Sequence, residues 1–282
     1  MVLVPHGGYI LSLATNAASV YMSTHHPSLN QPDCITSHIE FLARSSVGEV
    51  TISITPLKLG RQFTNLRVQL LQSDSKDPSK QRLCVETLFV QGNLALEAEN
   101  GQLNLETKPL LDKKRIPKRS ECTDMEGTTK EGQKWSPVRP AAFKIYQCLV
   151  NGSDEFGTVA IKDGGEGPSV KEQWVRWVPT SGDKFKVHDL PYLADAFRPI
   201  PESYGLKGKW YPTVSFAMDI KRGGEWEWLF LRIEMTEMRN GRFGLDVIIA
   251  DENGDVVATS RHVALILGFE RNSNGRKDGS KI

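Results

Sequence analysis

The sequence predicts an α+β protein made of two copies of one unit, an antiparallel sheet with a single helix laid against it. Three observations carry this expectation. Strand-like runs with β-branched or alternating apolar residues fill both ends of the chain. Each end also holds one stretch with helical spacing, and one short motif at a strand-to-strand junction recurs at a constant offset.

In the first half the strand-like runs are Ile35 to Leu42, Glu49 to Thr55, Asn65 to Leu71 and Arg82 to Val90. In the second they are Phe143 to Leu149, Glu172 to Trp177, Thr213 to Ile220, Trp228 to Thr236, Phe243 to Ala250 and Val256 to Leu267. Helical spacing of three and four joins Ile10, Leu13, Ala14, Ala17, Ala18 and Tyr21 behind Gly7 and Gly8. It also joins Leu190, Leu193, Ala194 and Phe197, with Asp189 as the expected N-cap, Pro191 near the first helical position and Pro199 as the stop. The repeated motif is Thr55-Pro-Leu-Lys-Leu-Gly60-Arg61 and Thr236-Glu-Met-Arg-Asn-Gly241-Arg242, offset by 181 residues at every matched position. It implies duplication; the alternative is two unrelated hairpins whose turns both use glycine.

Composition narrows the function classes. The 282 residues hold 35 Lys and Arg against 34 Asp and Glu, so no net field favours nucleic acid or an anionic membrane. The longest apolar stretches, such as Val263 to Phe269, are too short to span a bilayer, and the N-terminus does not read as a signal peptide, which predicts a cytoplasmic protein. The last residues, Ser280-Lys281-Ile282, differ by one conservative change from a Ser-Lys-Leu peroxisomal address. Cys34, Cys84, Cys122 and Cys148 form no Cys-x-x-Cys pair, and are read as reduced thiols with no zinc site. No metal and no cofactor is expected. The predicted organisation is a first sheet unit at 1–95, a polar linker at 96–140, a second unit at 141–270 and a flexible tail at 271–282.

A helix wrapped by an antiparallel sheet, present twice, resembles the double hotdog arrangement. The chain resembles the acyl-CoA thioesterase-like superfamily, in the branch related to acyl-CoA thioesterase II. The resemblance rests on His6-Gly-Gly-Tyr-Ile, His38-Ile-Glu-Phe-Leu and Leu59-Gly-Arg in the first half. In the second it rests on Trp228-Leu-Phe-Leu-Arg232, Asn240-Gly-Arg242, Asp251-Glu-Asn-Gly254 and Val257-Ala-Thr-Ser-Arg-His262. Members of this branch usually have a strand before the His-Gly-Gly segment, whereas Met1 stands five residues before His6, so the resemblance implies a first sheet short of one strand or a shortened form. The family's water-positioning Asp, Thr and Gln fall on Ser215, Thr236 and His262, which keeps only the threonine.

Thioester cleavage needs a group that deprotonates or orients the attacking oxygen and donors for the developing oxyanion. The predicted catalytic residues are Thr236, His262 and Ser215, with His262 a general base whose unperturbed pKa of ~6.5 would make activity fall as it protonates, or else a structural histidine. Gly7 and Gly8 offer first-turn backbone donors, or merely a bend. His6 is a further candidate, and Asp195 is either a helix carboxylate of the kind single-hotdog thioesterases use or an exposed residue. A Ser215-His262-Asp195 triad lacks a Gly-x-Ser-x-Gly elbow. Phe216 and Trp228 are expected to line an apolar wall. The cluster Lys113 to Arg119 is a solvated linker, or meets the phosphates of coenzyme A. The leading expectation is a thioesterase-like enzyme acting on an acyl or polyketide-like chain, CoA-linked or otherwise, in a groove between the halves; homo-oligomers are compatible with it. The alternatives are a cyclase, isomerase or dehydratase on a polyketide or terpenoid intermediate, and a non-catalytic acyl-binding protein.

Overall fold

The first helix, α1 (Gly7–His25), turns Gly8, Ile10, Leu11, Ala14, Thr15, Ala18 and Met22 inward. This stripe is rotated slightly from the expected one, for Leu13, Ala17 and Tyr21 are only half-buried. Its small residues let the helix backbone lie close to what it packs on. The computed structural model describes residues 5–74, 77, 79–100, 104–106, 108–124, 143–148, 169–177 and 183–268. The tail from 271 and its Ser280-Lys281-Ile282 ending lie outside the described residues, as does most of the polar run Glu121 to Ser136.

Around α1 run β1 (Asp33–Phe41), β2 (Thr51–Lys58), β3 (Thr64–Ser73) and β4 (Gln81–Gly92), followed by a short helix, α2 (Leu94–Glu99). The second half contributes β5 (Thr123–Asp124), β6 (Phe143–Cys148), β7 (Val170–Trp177), α3 (Leu190–Leu193), β8 (Lys209–Trp210), β9 (Thr213–Ile220), β10 (Leu229–Arg239), β11 (Arg242–Ala250), β12 (Val256–Leu265) and β13 (Leu267–Gly268). Eleven strands form one antiparallel sheet in the order β2-β3-β4-β1-β9-β12-β11-β10-β7-β6-β5. Read outward from the β1–β9 seam, β1-β4-β3-β2 mirrors β9-β12-β11-β10. β7 pairs beyond β10, whereas no described strand pairs beyond β2.

The seam register supports the duplication. Ser37 pairs with Met218 at the 181-residue offset, and the flanking pairs Thr36–Asp219 and His38–Ala217 exchange under the same offset, so a pseudo-two-fold axis passes between Ser37 and Met218. The repeated motif falls in equivalent hairpins, β2–β3 and β10–β11, each with a bulge just before its turn. The turns themselves differ. Asn240-Gly241 is a two-residue turn with φ of 52° and 70°, as a type I′ hairpin requires. Gly60 sits in a longer connection and is needed there because a Cβ would stand 2.4 Å from the Phe63 carbonyl oxygen.

The linker is partly docked. Leu111, Ile116 and Cys122 pack with Trp174, Trp228, Phe230, Ala250 and Ile248 in a small cluster of their own. Strand alternation puts this cluster on the outer face, since Leu229 and Leu231, which flank Phe230 in β10, belong to the main core. Trp174 Nε1 donates to the Pro117 carbonyl at 2.8 Å.

The second helix is shorter than the spacing predicts. It covers four residues behind a 3₁₀ turn at Val187–Asp189, and Asp189 accepts from the Lys186 N–H at 2.8 Å rather than capping α3. The chain is pulled out of helix beyond Ala194 because two buried side chains of β7 hold it: Gln173 Nε2 donates to Ala196 O at 2.9 Å and Lys171 Nζ to Arg198 O at 3.0 Å.

Glycine decides how closely α1 meets this segment. A Cβ at Gly8 would lie 2.5 Å from Pro191 O, 2.8 Å from Asp195 Cβ and 3.0 Å from Tyr192 Cα, two of them backbone atoms that cannot swing away. Gly8→Ala is expected to force the helices apart and lower the unfolding free energy by about 1–3 kcal/mol. Urea denaturation of the two proteins measures this; equal midpoints would mean the approach is not as tight as described.

Candidate functional site

The site forms where α1 of the first half meets the turn after α3 of the second. α1 begins without a side-chain cap of its own, so its first-turn N–H groups need partners from elsewhere. Asp195 supplies one: its Oδ2 accepts from the Gly8 N–H at 2.8 Å, across 187 positions of sequence. The same oxygen is 3.3 Å from His6 Nδ1, and Oδ1 is 3.7 Å from His262 Nδ1. One carboxylate thus faces a helix N-terminus, whose dipole favours negative charge, and two imidazoles. A Cβ at Gly7 would stand 3.1 Å from the same Oδ2, so both glycines admit the carboxylate.

His262 is 1% exposed. Phe216, its neighbour in the β9–β12 register, stacks on the ring with centroids 3.9 Å apart. Its Nε2 is 2.9 Å from Ser260 Oγ. Burial drives its pKa down to about 4, against the opposing pull of Asp195. The expectation that His262 titrates near 6.5 is therefore corrected: desolvation keeps the ring neutral through the physiological range. Tyr192 sets its ring edge-on to His6, centroids 5.5 Å apart, and burial with the nearby Asp195 charge lifts its phenol to about 12.

Of the predicted residues, His6, Gly7, Gly8, Asp195, Phe216 and His262 come together. Thr236, Ser215 and Trp228 do not. Thr236 is the bulged residue of β10, exposed opposite Gly244 and two strands from His262. Ser215 neighbours Phe216 in β9, so the pleat turns it to the other face of the sheet. Trp228 belongs to the outer-face cluster beneath the linker, with Arg119 and Arg176 4.6 Å and 4.9 Å from its ring. The cluster Lys113 to Arg119 lines an outer cleft of about 450 Å³ with Trp174 and Gly254. Two of its charges are met by the β11–β12 turn, Lys113 with Asp255 at 2.5 Å and Arg119 with Glu252 at 3.0 Å. This cleft lies on the outer face of the sheet, with the docked linker.

Three residues escaped the sequence reading. Lys171 and Gln173 tether the Asp195 segment, and Ser260 contacts His262. Only Ser260 carried a readable signal, since strand alternation places it two positions from His262 on the same face. Among the described residues no group of three or more His, Cys, Asp or Glu could hold a metal ion, and no helix is long and apolar enough to cross a membrane.

A tandem antiparallel sheet with a helix per half and a polar centre at their junction defines the double-hotdog class. The sequence matches the acyl-CoA thioesterase N-terminal domain over residues 1–92 and the acyl-CoA thioesterase C-terminal domain over residues 119–266, and the chain belongs to this acyl-CoA thioesterase family. It is 26% identical to a thioesterase-like protein, TwmA, of Talaromyces wortmannii, over 98% of this chain and 87% of that one. Among solved structures, one from Thermobifida fusca, described as a thioesterase II, superposes with a TM-score of 0.67 at 20% identity, covering 94% of this chain and 88% of that one. A hot dog fold protein of Alicyclobacillus acidocaldarius gives 0.68 at 15%, covering 93% and 87%. A trans-AT polyketide synthase dehydratase domain from Brevibacillus brevis gives 0.53 at 12%, covering 94% and 86%.

The buried imidazole has a measurable consequence. Its folded pKa of about 4 lies below the ~6.5 of an unfolded chain, so between these values the unfolded state binds a proton that the folded state does not. Stability therefore rises with pH across that window, and is lost as pH falls through it, by on the order of 3 kcal/mol in full. In His262→Gln this part of the slope should vanish. Urea unfolding at several pH values reads it, and an unchanged slope would place the titration on another group.

Proposed function

We propose that this protein cleaves acyl thioesters, with a hydrophobic acyl or polyketide-like chain, CoA-linked or carried on another thiol, held in the groove between the halves. The observation that supports this is the line Asp195, His262, Ser260 beside the N-terminus of α1. Asp195 orients His262 through Nδ1, leaving Nε2 as the basic nitrogen. The first-turn N–H groups of α1 beside Gly8 are donors suited to the oxyanion of a tetrahedral intermediate. His6, on the other side of Asp195, helps hold the carboxylate in place through its Nδ1 contact. Phe216 gives an apolar floor.

A second reading has its own support. His6 and Asp195 come from opposite halves and stand 3.3 Å apart, a pair suited to taking a proton beside a thioester carbonyl and returning one to a β-hydroxyl, which is dehydration. The Brevibacillus dehydratase neighbour shares the fold.

Thiol release from an acyl-CoA chain-length series separates the two. Hydrolysis predicts free coenzyme A, a loss of about 100-fold or more in Asp195→Asn, and a rate that falls through protonation of His262 only near pH ~4. If no thiol appears while a β-hydroxyacyl thioester loses water by mass spectrometry, dehydration is the reaction. Tight binding with neither product would make the protein a non-catalytic acyl-binding protein.

A further inference from the structure

We infer that Ser260 is a covalent nucleophile, so that the acyl group passes through an ester on its Oγ; this rests on the thioester reading above. The argument begins with which atoms of His262 face which partners. Nδ1 is buried and faces Asp195 Oδ1 at 3.7 Å, while Nε2 lies 2.9 Å from Ser260 Oγ. A lone pair on Nδ1 would be turned against a carboxylate oxygen, so the favoured tautomer carries its proton there. That leaves Nε2 as an acceptor, and the group positioned to donate to it is the Ser260 hydroxyl. Carboxylate to Nδ1, Nε2 to hydroxyl is the order in which an oriented imidazole removes a proton from serine. The carboxylate contact is longer than a hydrogen bond; catalytic contacts of this kind tighten when substrate binds.

Position supports the assignment. Ser260 pairs with Met218, which pairs with Ser37 at the pseudo-two-fold axis, so its hydroxyl lies on the helix-facing side of the sheet between the halves. It is 7% exposed, compared with 1% for His262, so both are buried and the serine is the less buried of the two. A water activated directly by His262 would have to displace Ser260 from Nε2.

The chemistry balances. Ser260 Oγ bonds to the thioester carbonyl carbon as its proton moves to His262 Nε2, and the carbonyl oxygen becomes the oxyanion. Collapse breaks the C–S bond, and the thiolate takes the proton from Nε2 and leaves as free thiol. Water then repeats the sequence on the serine ester, releasing the carboxylic acid and restoring the hydroxyl.

The test treats the intact protein with a fluorophosphonate, which labels activated serines whatever the natural substrate, and follows it by intact mass and peptide mapping. The expected result is one adduct, on the peptide holding Ser260. It should be absent in Ser260→Ala and slowed about 100-fold in His262→Gln. In parallel, Ser260→Ala should lose acyl-CoA turnover by about 100-fold or more, while Ser260→Cys, which keeps a nucleophile, should form an acyl adduct after a single burst of thiol release. An unlabelled wild-type protein, or a Ser260→Ala variant that releases coenzyme A at the wild-type rate, overturns the assignment and leaves hydrolysis by direct water attack. An adduct on Ser260 with no thioester cleaved upholds the nucleophile and overturns the thioester reading instead.

Discussion

The contact on which the site depends is the Asp195 carboxylate accepting from the backbone of Gly8. It joins the two halves at the point where their helices meet, and it does so with a charge-assisted bond to a helix terminus, worth about 1.5–3 kcal/mol when buried. Because Oδ2 is held by Gly8, Oδ1 is left facing His262. Gly8 allows the approach, Gln173 and Lys171 hold the chain beyond Asp195, and the shortness of α3 follows from that tether. The electrostatic arrangement and the packing thus share one cause.

The pseudo-symmetry makes the asymmetry of the site informative. His262 lies two residues beyond Ser260 on β12, and Gln91 lies two residues beyond Phe89 on β4, where Phe89 pairs with Ser37 as Ser260 pairs with Met218. Gln91 is therefore the first half's counterpart of His262. It is fully buried, cross-strand from Thr64, and it is neutral at every pH. A duplicated unit could carry the same ionisable centre twice, yet burying a second imidazole and carboxylate would add a second desolvation cost without a second helix junction to offset it. Among the described residues one pair of helix ends meets at a glycine, and the ionisable residues sit there.

The fold was largely readable because it is written in periods. Alternation in runs such as Thr213 to Ile220, and the repeat of Thr-x4-Gly-Arg, depend on local backbone geometry that neighbouring residues specify. The site was readable only in part. His6, Gly7, Gly8, Asp195, Phe216 and His262 were legible as residue types that do chemistry or permit close approach, but their convergence depends on a contact spanning 187 positions. Thr236 and Ser215 do not converge with His262: family correspondence was carried along strands by sequence, whereas a bulge at Thr236 and the pleat at Ser215 decide which face each side chain takes. The low basicity of His262 was not legible at all, since desolvation comes from Phe216 and the helices above, and no local pattern encodes it.

That low basicity shapes how the centre can act. A base held near pKa 4 is always free to accept a proton at neutral pH, but Brønsted behaviour makes it a weak one, so its chemistry needs the carboxylate to strengthen as the ring becomes cationic. Asp195 is placed for that, because a positive charge on His262 turns a 3.7 Å dipolar contact into an ion pair in a medium of low dielectric. A cation on His262 is costly in this buried position, and the Asp195 carboxylate is the neighbouring charge that offsets part of that cost. The burial that lowers the basicity of His262 thus also strengthens its coupling to Asp195, and the two effects oppose one another at the same ring.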